Sequence, residues 1–247
     1  MKKIVVASRQ HIASMNILEA LGDIHETKIC DSSIVDLFEL KDEKRMMIVA
    51  SPHSSKAGIK SFSVHTTGNF SRAEVGGLDH TLSVAPALFL GEGLRKFKEV
   101  RDNMKLPYEV TLEVTHHGPS FDAPMIYVEI GSNEEGWRDK RSAKAASKVI
   151  THLLDFDPKE KKSEIGIGGP HYAPNFTRWT HDGRNFGHIC PKYATKNLDE
   201  DLLIQMIEKT LPNPEALTLD WKGIPSTEKE RIMELAEKIG IPTQKVR

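Results

Sequence analysis

Cysteine is nearly absent: Cys30 and Cys190 are the two such residues in a chain of 247. That excludes a disulfide framework and any Cys-x-x-Cys metal or redox motif. Long apolar runs are missing as well. The longest, around Val84 to Leu90, falls far short of the ~20 residues a bilayer-spanning helix needs. No sign of charge dominates, since 34 Lys and Arg face 35 Asp and Glu for a net charge of −1. A wholesale polyanion-binding coat is excluded, a local basic face is not. Internal repeats, low-complexity tracts and evident linkers are lacking, so we expect one compact domain over residues 1–247. Glutamine is scarce (Gln10, Gln205 and Gln244), which agrees weakly with a heat-adapted source. Met1-Lys2-Lys3 runs straight into a strand-like Ile4–Ser8 with no signal-peptide core. A soluble, cytoplasmic chain is expected.

What is present is alternation of short strand patterns with helical ones. Ile4–Ser8, Met46–Ala50, Ser61–His65, Ile126–Ile130, Glu164–Ile167 and Leu217–Leu219 read as strands. Tyr108–Thr115 alternates cleanly, with Val110, Leu112 and Val114 on one face. Helices are predicted over His11–Leu21 with Gly22 as the stop, around Leu94 to Met104, over Arg138–Asp155, and over Asp199–Thr210. Thr227 and Glu230 have the spacing of a capping box for a last helix that ends before Gly240. Interleaved strands and helices predict an α/β fold with a mixed, largely parallel sheet flanked by helices.

Histidine is abundant, with eleven residues, and bunched at strand ends beside glycine or proline. His53 lies in Ser51-Pro52-His53-Ser54-Ser55 and His65 opens His65-Thr66-Thr67-Gly68-Asn69. His116 and His117 lie in Glu113-Val114-Thr115-His116-His117-Gly118-Pro119, His171 in Gly168-Gly169-Pro170-His171-Tyr172-Ala173-Pro174, and His188 in Gly187-His188-Ile189-Cys190. In open α/β sheets ligands bind beyond the carboxyl ends of the strands, so these imidazoles are expected to converge in such a crevice. Imidazoles with a carboxylate hold zinc, or act without metal as a base oriented by Glu113. No His-Glu-x-x-His, Gly-x-Ser-x-Gly or Walker motif is present, so no standard signature chooses between these. His11, His25 and His152 read as structural, and nothing near Cys190 marks it as an activated nucleophile.

One helix carries a basic face. Arg141, Lys144 and Lys148 recur at three- and four-residue spacing, opposite the apolar stripe of Ala146, Val149, Ile150 and Leu153. A solvated helix face and a nucleic-acid contact explain that pattern equally.

The motifs around His53, His65, Thr115-His116-His117-Gly118-Pro119 and Gly168-Gly169-x-His171-Tyr172-Ala173-Pro174, with Thr177 and Gly187-His188, resemble the archaeal- and plant-type D-aminoacyl-tRNA deacylases, formerly called D-tyrosyl-tRNA deacylases. The resemblance covers essentially the whole chain. It implies a phosphorylase/hydrolase-like α/β fold, a monomer, and zinc-dependent hydrolysis of the ester between a D-amino acid and the 3′-terminal ribose of tRNA. Joined to the histidine pattern, it leads us to expect one or two zinc ions held by some of His65, His117, His171 and His188. Glu113 or His116 would manage protons, and Arg141, Lys144 and Lys148 would grip tRNA phosphates. The alternatives are a zinc amidase or carboxypeptidase-like hydrolase of small substrates and a non-catalytic RNA-binding module.

Overall fold

In the computed structural model, which describes residues 1–23, 26–159 and 161–246, the β-branched runs form strands and the amphipathic stretches form helices. β1 (Lys3–Ser8) leads through α1 (Ile12–Leu21) to β2 (Thr27–Cys30), β3 (Met46–Pro52), β4 (Ser61–His65) and β5 (Ala85–Pro86). Then come α2 (Ala87–Met104), β6 (Glu109–Leu112), β7 (Met125–Gly131), α3 (Glu134–Arg138) and α4 (Lys140–Asp155). β8 (Glu164–Ile167), α5 (Pro174–His181), β9 (Phe186–Cys190), α6 (Glu200–Glu208) and β10 (Thr210–Leu211) follow. β11 (Ala216–Asp220), α7 (Lys229–Ile239) and β12 (Thr243–Val246) complete the described elements.

The fold is α/β. A six-stranded sheet has the order β2-β1-β3-β7-β4-β6, and a four-stranded one the order β12-β11-β8-β9. Every pairing in both is parallel except β4 with β7. A short parallel pair joins β5, from the part of the chain that builds the large sheet, to β10, from the part that builds the small one.

Alternation along the strands gives the large sheet two unlike faces. On one, Ile48, Ala50, Phe62, Val64, Ile126, Val128 and Ile130 pack against Leu94 and Phe97 of α2 and Val149, Ile150 and Leu153 of α4. Phe62 stacks between Phe97 and Tyr108, with ring centroids 4.8 and 4.4 Å away. Such pairs contribute about 0.5–1.5 kcal/mol each beyond area burial. The other face is apolar at one end, where Met47, Val49, Met125 and Tyr127 meet Ile34, Leu37 and Leu40. Farther along the same strands it turns polar. Ser51, Glu129, Ser63 and Thr111 are cross-strand neighbours in one row, and His65 pairs with Tyr127 in the next. The site forms on this polar half-face.

Local departures from the sequence-based expectations have identifiable causes. The helix expected from Arg138 begins at Lys140, and Arg138 instead ends the short α3, because Asp139 is extended and its carboxylate accepts the Arg141 N–H at 2.8 Å, capping α4 afresh. Thr227 makes no capping box. Residues 226–228 form a 3₁₀ turn, and α7 begins at Lys229 with no side-chain cap. The strand expected to reach Thr115 leaves the ladder after Leu112. From there the Glu113 N–H donates to Val64 O, Val114 to His171 O, and Thr115 to Ile189 O. One short segment thereby ties the large sheet to the loops and strands of the small one. Gly22 and Gly240, both at positive φ, end α1 and α7 as expected. Among the described residues no helix is long and apolar enough to cross a membrane.

Candidate active site

Two carboxylates stand in the polar half-face. Glu129 projects from the middle of β7, accepting a hydrogen bond from Ser51 Oγ at 2.6 Å and another from Ser63 Oγ at 3.4 Å. Glu113, just past β6, accepts from His171 Nε2 at 2.8 Å. His53 Nδ1 lies between them, 3.0 Å from Glu113 Oε1 and 3.5 Å from Glu129 Oε2, while its Nε2 meets the Tyr172 hydroxyl at 2.9 Å. Both carboxylates are buried. Burial opposes their ionisation, but the imidazoles beside them outweigh it, His171 and His53 at Glu113 and His65 and His53 at Glu129, so both titrate below the usual range. Burial likewise pulls His53 down. Hydrogen bonds to Glu113 and Glu129 more than reverse that, lifting it to about 11. His53 is therefore an imidazolium at neutral pH.

Three other imidazoles share a different arrangement. His65 Nδ1 donates to Thr66 O at 3.0 Å, His116 Nδ1 to Val114 O at 2.9 Å, and His117 Nδ1 to Gly118 O at 2.6 Å. Each Nε2 is thus the nitrogen left to face the carboxylates or a metal, His65 Nε2 lying 3.4 Å from Glu129 Oε1 and His116 Nε2 3.5 Å from Glu113 Oε2. The three rings lie 4.4–4.9 Å apart, centroid to centroid, and offer ligand atoms within 4.8 Å of one another. Adjacent side chains on a strand point to opposite faces. His117 escapes this through a left-handed backbone, φ 42°, which turns its ring back beside His116. Burial, with the other imidazoles nearby, holds His116 well below its ordinary value and His117 at about 4, so both stay neutral. His65 is also pulled down by burial, but Glu129 and Glu113 leave it above its ordinary value.

The chemistry of this donor set fits zinc. A metal-binding histidine usually donates its second N–H to a carbonyl or carboxylate, as these three do, and three imidazole ligands leave one tetrahedral position open. His65, held up by Glu129 and Glu113, would release a proton on binding the ion. His65 Nε2 is buried without a hydrogen bond, with Glu129 Oε1 3.4 Å away, a condition that a cation would relieve. His53, Glu113 and His171 form a second possible group, but a charged His53 offers no lone pair.

The expected residues divide. His65, Glu113, His116, His117 and His171 come together. His188 stands apart, fully buried, with both nitrogens occupied: Nε2–H donates to Ser83 O at 2.9 Å and Nδ1 accepts from Thr115 Oγ at 3.1 Å. That leaves it no lone pair for a metal. Arg141, Lys144 and Lys148 are exposed on α4, whose buried side packs on the opposite face of the large sheet. Cys190 is buried, which pushes its thiol far above the usual range and leaves no thiolate. Of the histidines read as structural, His152 pairs with Glu92 at 2.7 Å, His11 lines the site's cavity, and His25 lies outside the described residues. Nor do the imidazoles gather beyond a common row of carboxyl ends. β4 and β6 run against β3 and β7, so the residues meet across the face of the sheet.

Sequence reading passed over Glu129. Its signal was a lone carboxylate in Met125-Ile126-Tyr127-Val128-Glu129-Ile130, a strand otherwise apolar on both faces.

The cluster floors an open cavity of about 950 Å³. Ile34, Val35, Pro52 and Trp137 line it from the large-sheet side, and Arg72, Tyr193 and Lys196 from the loops after β4 and β9. Buried carboxylates, an imidazolium and neutral imidazoles at the base of such a cavity define a hydrolase site able to activate water and protonate a leaving group. The sequence profile of the D-aminoacyl-tRNA deacylases matches residues 40–244, and this chain belongs to that family of ester hydrolases. The D-aminoacyl-tRNA deacylase of Ignicoccus hospitalis is 38% identical over 78% of this chain and 78% of its own. That of Picrophilus torridus is 30% identical over 98% of this chain and 99% of its own. A crystal structure described as a conserved protein of unknown function superposes with a TM-score of 0.89 at 28% identity, covering 99% of this chain and 95% of the other.

Proposed function

We propose that this protein hydrolyses the ester joining a D-amino acid to the 3′-terminal ribose of tRNA, returning free D-amino acid and tRNA, with zinc held by His65, His116 and His117. The observation that carries this reading is the set of three Nε2 atoms grouped beside Glu113 and Glu129 at the floor of the cavity. When bound, zinc supplies a Lewis acid for the ester carbonyl and a water nucleophile at neutral pH. Glu113 is the carboxylate placed to take the proton of the attacking water, its Oε2 lying 3.5 Å from His116 Nε2. His53 and His171 fix that carboxylate, and His171, partly open to the cavity, is placed to return a proton to the departing ribose oxygen. The water oxygen bonds to the carbonyl carbon, the bond from that carbon to the ribose oxygen breaks, and the proton passes to the ribose.

Lys144 and Lys148, across the sheet from the cluster, suit backbone phosphates of the tRNA body rather than the 3′ end. Aminoacyl-tRNA is made and used in the cytoplasm, where we place the enzyme, acting as a monomer. The reading is tested by amino-acid release from D-tyrosyl- and L-tyrosyl-tRNA, with and without chelator and zinc add-back. Release from the D form alone, lost on chelation and restored by zinc, is the expected result. D-selective release indifferent to chelation removes zinc and leaves Glu113 with the histidines as bases. Release from neither substrate overturns the assignment.

A further inference from the structure

The turn after β9 holds an aromatic ring out into solvent. Tyr193 is 54% exposed, lines the cavity, and has no aromatic neighbour and no side-chain hydrogen bond among the described residues. Its backbone is nevertheless fixed from several sides. The Lys192 N–H donates to Gly169 O at 2.9 Å, Ala194 to Pro191 O at 2.9 Å, and Asn197 to Ala194 O at 2.9 Å. The Arg231 guanidinium reaches over from α7 to the carbonyls of Thr195 and Leu198. An exposed tyrosine on a braced turn is a ready surface rather than a loose end.

The charges beside it point the same way. Lys192 and Lys196 flank the ring in sequence, and Arg72 shares the cavity wall with Lys196. None of the three has a carboxylate partner among the described residues. Glu74 is the acidic side chain on that wall, leaving an excess of positive charge. One side of the cavity carries two cations and an exposed tyrosine, while the other, with Ile34, Val35, Pro52 and Trp137 beside His11, Ser33 and Ser54, carries no lysine or arginine, and the hydrolytic cluster lies between them.

We infer that Tyr193, with Lys196 and Arg72, is the platform for the 3′-terminal nucleotide of the tRNA, its ring stacking on the terminal adenine while the two cations meet the adjoining phosphates. This rests on the deacylase reading, because an ester at the cluster puts the base of its own nucleotide against a wall of the same cavity. Single-stranded nucleic acid is held in this manner, by aromatic faces for the bases and lysine or arginine for the backbone. The opposite wall is left for the aminoacyl side chain.

The test uses the zinc-loaded protein and uncharged tRNA, intact or trimmed of its terminal adenosine, with the dissociation constant measured for each. Wild type is expected to lose about tenfold on trimming, within the range of one base–aromatic stack. Tyr193→Ala is expected to bind both tRNAs alike, with the affinity wild type has for the trimmed one. Tyr193→Phe, which keeps the stacking face, is expected to behave as wild type. Lys196→Ala is expected to lower the slope of log affinity against log salt by about one. If trimming weakens Tyr193→Ala as much as wild type, the platform is wrong, and an unchanged salt slope removes Lys196 from it. These are binding measurements, so they stand apart from turnover. A wild type that binds as expected yet releases no D-amino acid sinks the deacylase reading instead.

Discussion

His53 Nδ1 stands 3.0 Å from Glu113 Oε1, joining the turn after β3 to the segment that crosses from one sheet to the other. The contact holds a carboxylate ionised in a buried place, while its other oxygen, Oε2, takes His171 Nε2 at 2.8 Å and lies 3.5 Å from His116 Nε2.

Glu113→Gln keeps the shape and removes the proton acceptor. We expect kcat for D-aminoacyl-tRNA to fall about 10²–10⁴-fold, the usual contribution of a positioned acid or base, with KM little changed. Steady-state kinetics check this. A rise in KM at unchanged kcat would assign Glu113 to binding.

His117→Ala removes one of three grouped Nε2 atoms, whereas His188→Gln alters an imidazole whose nitrogens are both engaged. We expect the first variant to lose zinc and the second to retain it, as measured by metal content after dialysis. Zinc lost from both would return His188 to the ligand set.

His188 also links stability to pH. Burial holds its folded value at about 3, against 6.5 for the ordinary imidazole. As pH falls through about 6.5 the unfolded chain takes up a proton that the folded chain does not accept until about 3. Stability therefore rises with pH across that window, by at most about 1.4 kcal/mol per unit from this group, and levels off above it. Urea unfolding from pH 7 to pH 4 is expected to show the slope, and His188→Gln to flatten part of it.

Lys144→Ala with Lys148→Ala is expected to raise KM for full-length D-aminoacyl-tRNA and leave KM for D-aminoacyl-adenosine unchanged, since α4 lies across the sheet from the cluster. Kinetics on the two substrates separate these cases. An equal rise on both would place the helix at the 3′ end after all.

The turn that presents His171 is sensitive to a single methyl group. Gly168 has φ +114°, and a Cβ there would lie 2.9 Å from the Asp220 carbonyl oxygen. Gly168→Ala is expected to cost about 1–3 kcal/mol in stability and to lower kcat by displacing His171. Thermal melts and kinetics together check it. Lost activity without lost stability would confine the effect to the loop.

The histidines were legible because each sits within three residues of a glycine or proline near a predicted strand end, a feature local to a few residues. Glu129 was not. Its role depends on β7 lying between β3 and β4, a neighbour relation between strands far apart in sequence that no local pattern contains. The same limit applies to α4, whose two faces were readable from periodicity while the side of the sheet it covers was not. His188 misled because residue type and turn context matched the ligands, whereas its hydrogen bonds to Ser83 and Thr115 exist only once three separate segments have met.

The segment from Glu113 to Thr115 hydrogen-bonds first to β4, then to the His171 loop, then to β9. Glu113 is therefore tied to both sheets at once. A shift of the small sheet against the large one would carry the His171 loop with it, so the 2.8 Å hydrogen bond between Glu113 and His171 is only as firm as the docking of the two sheets.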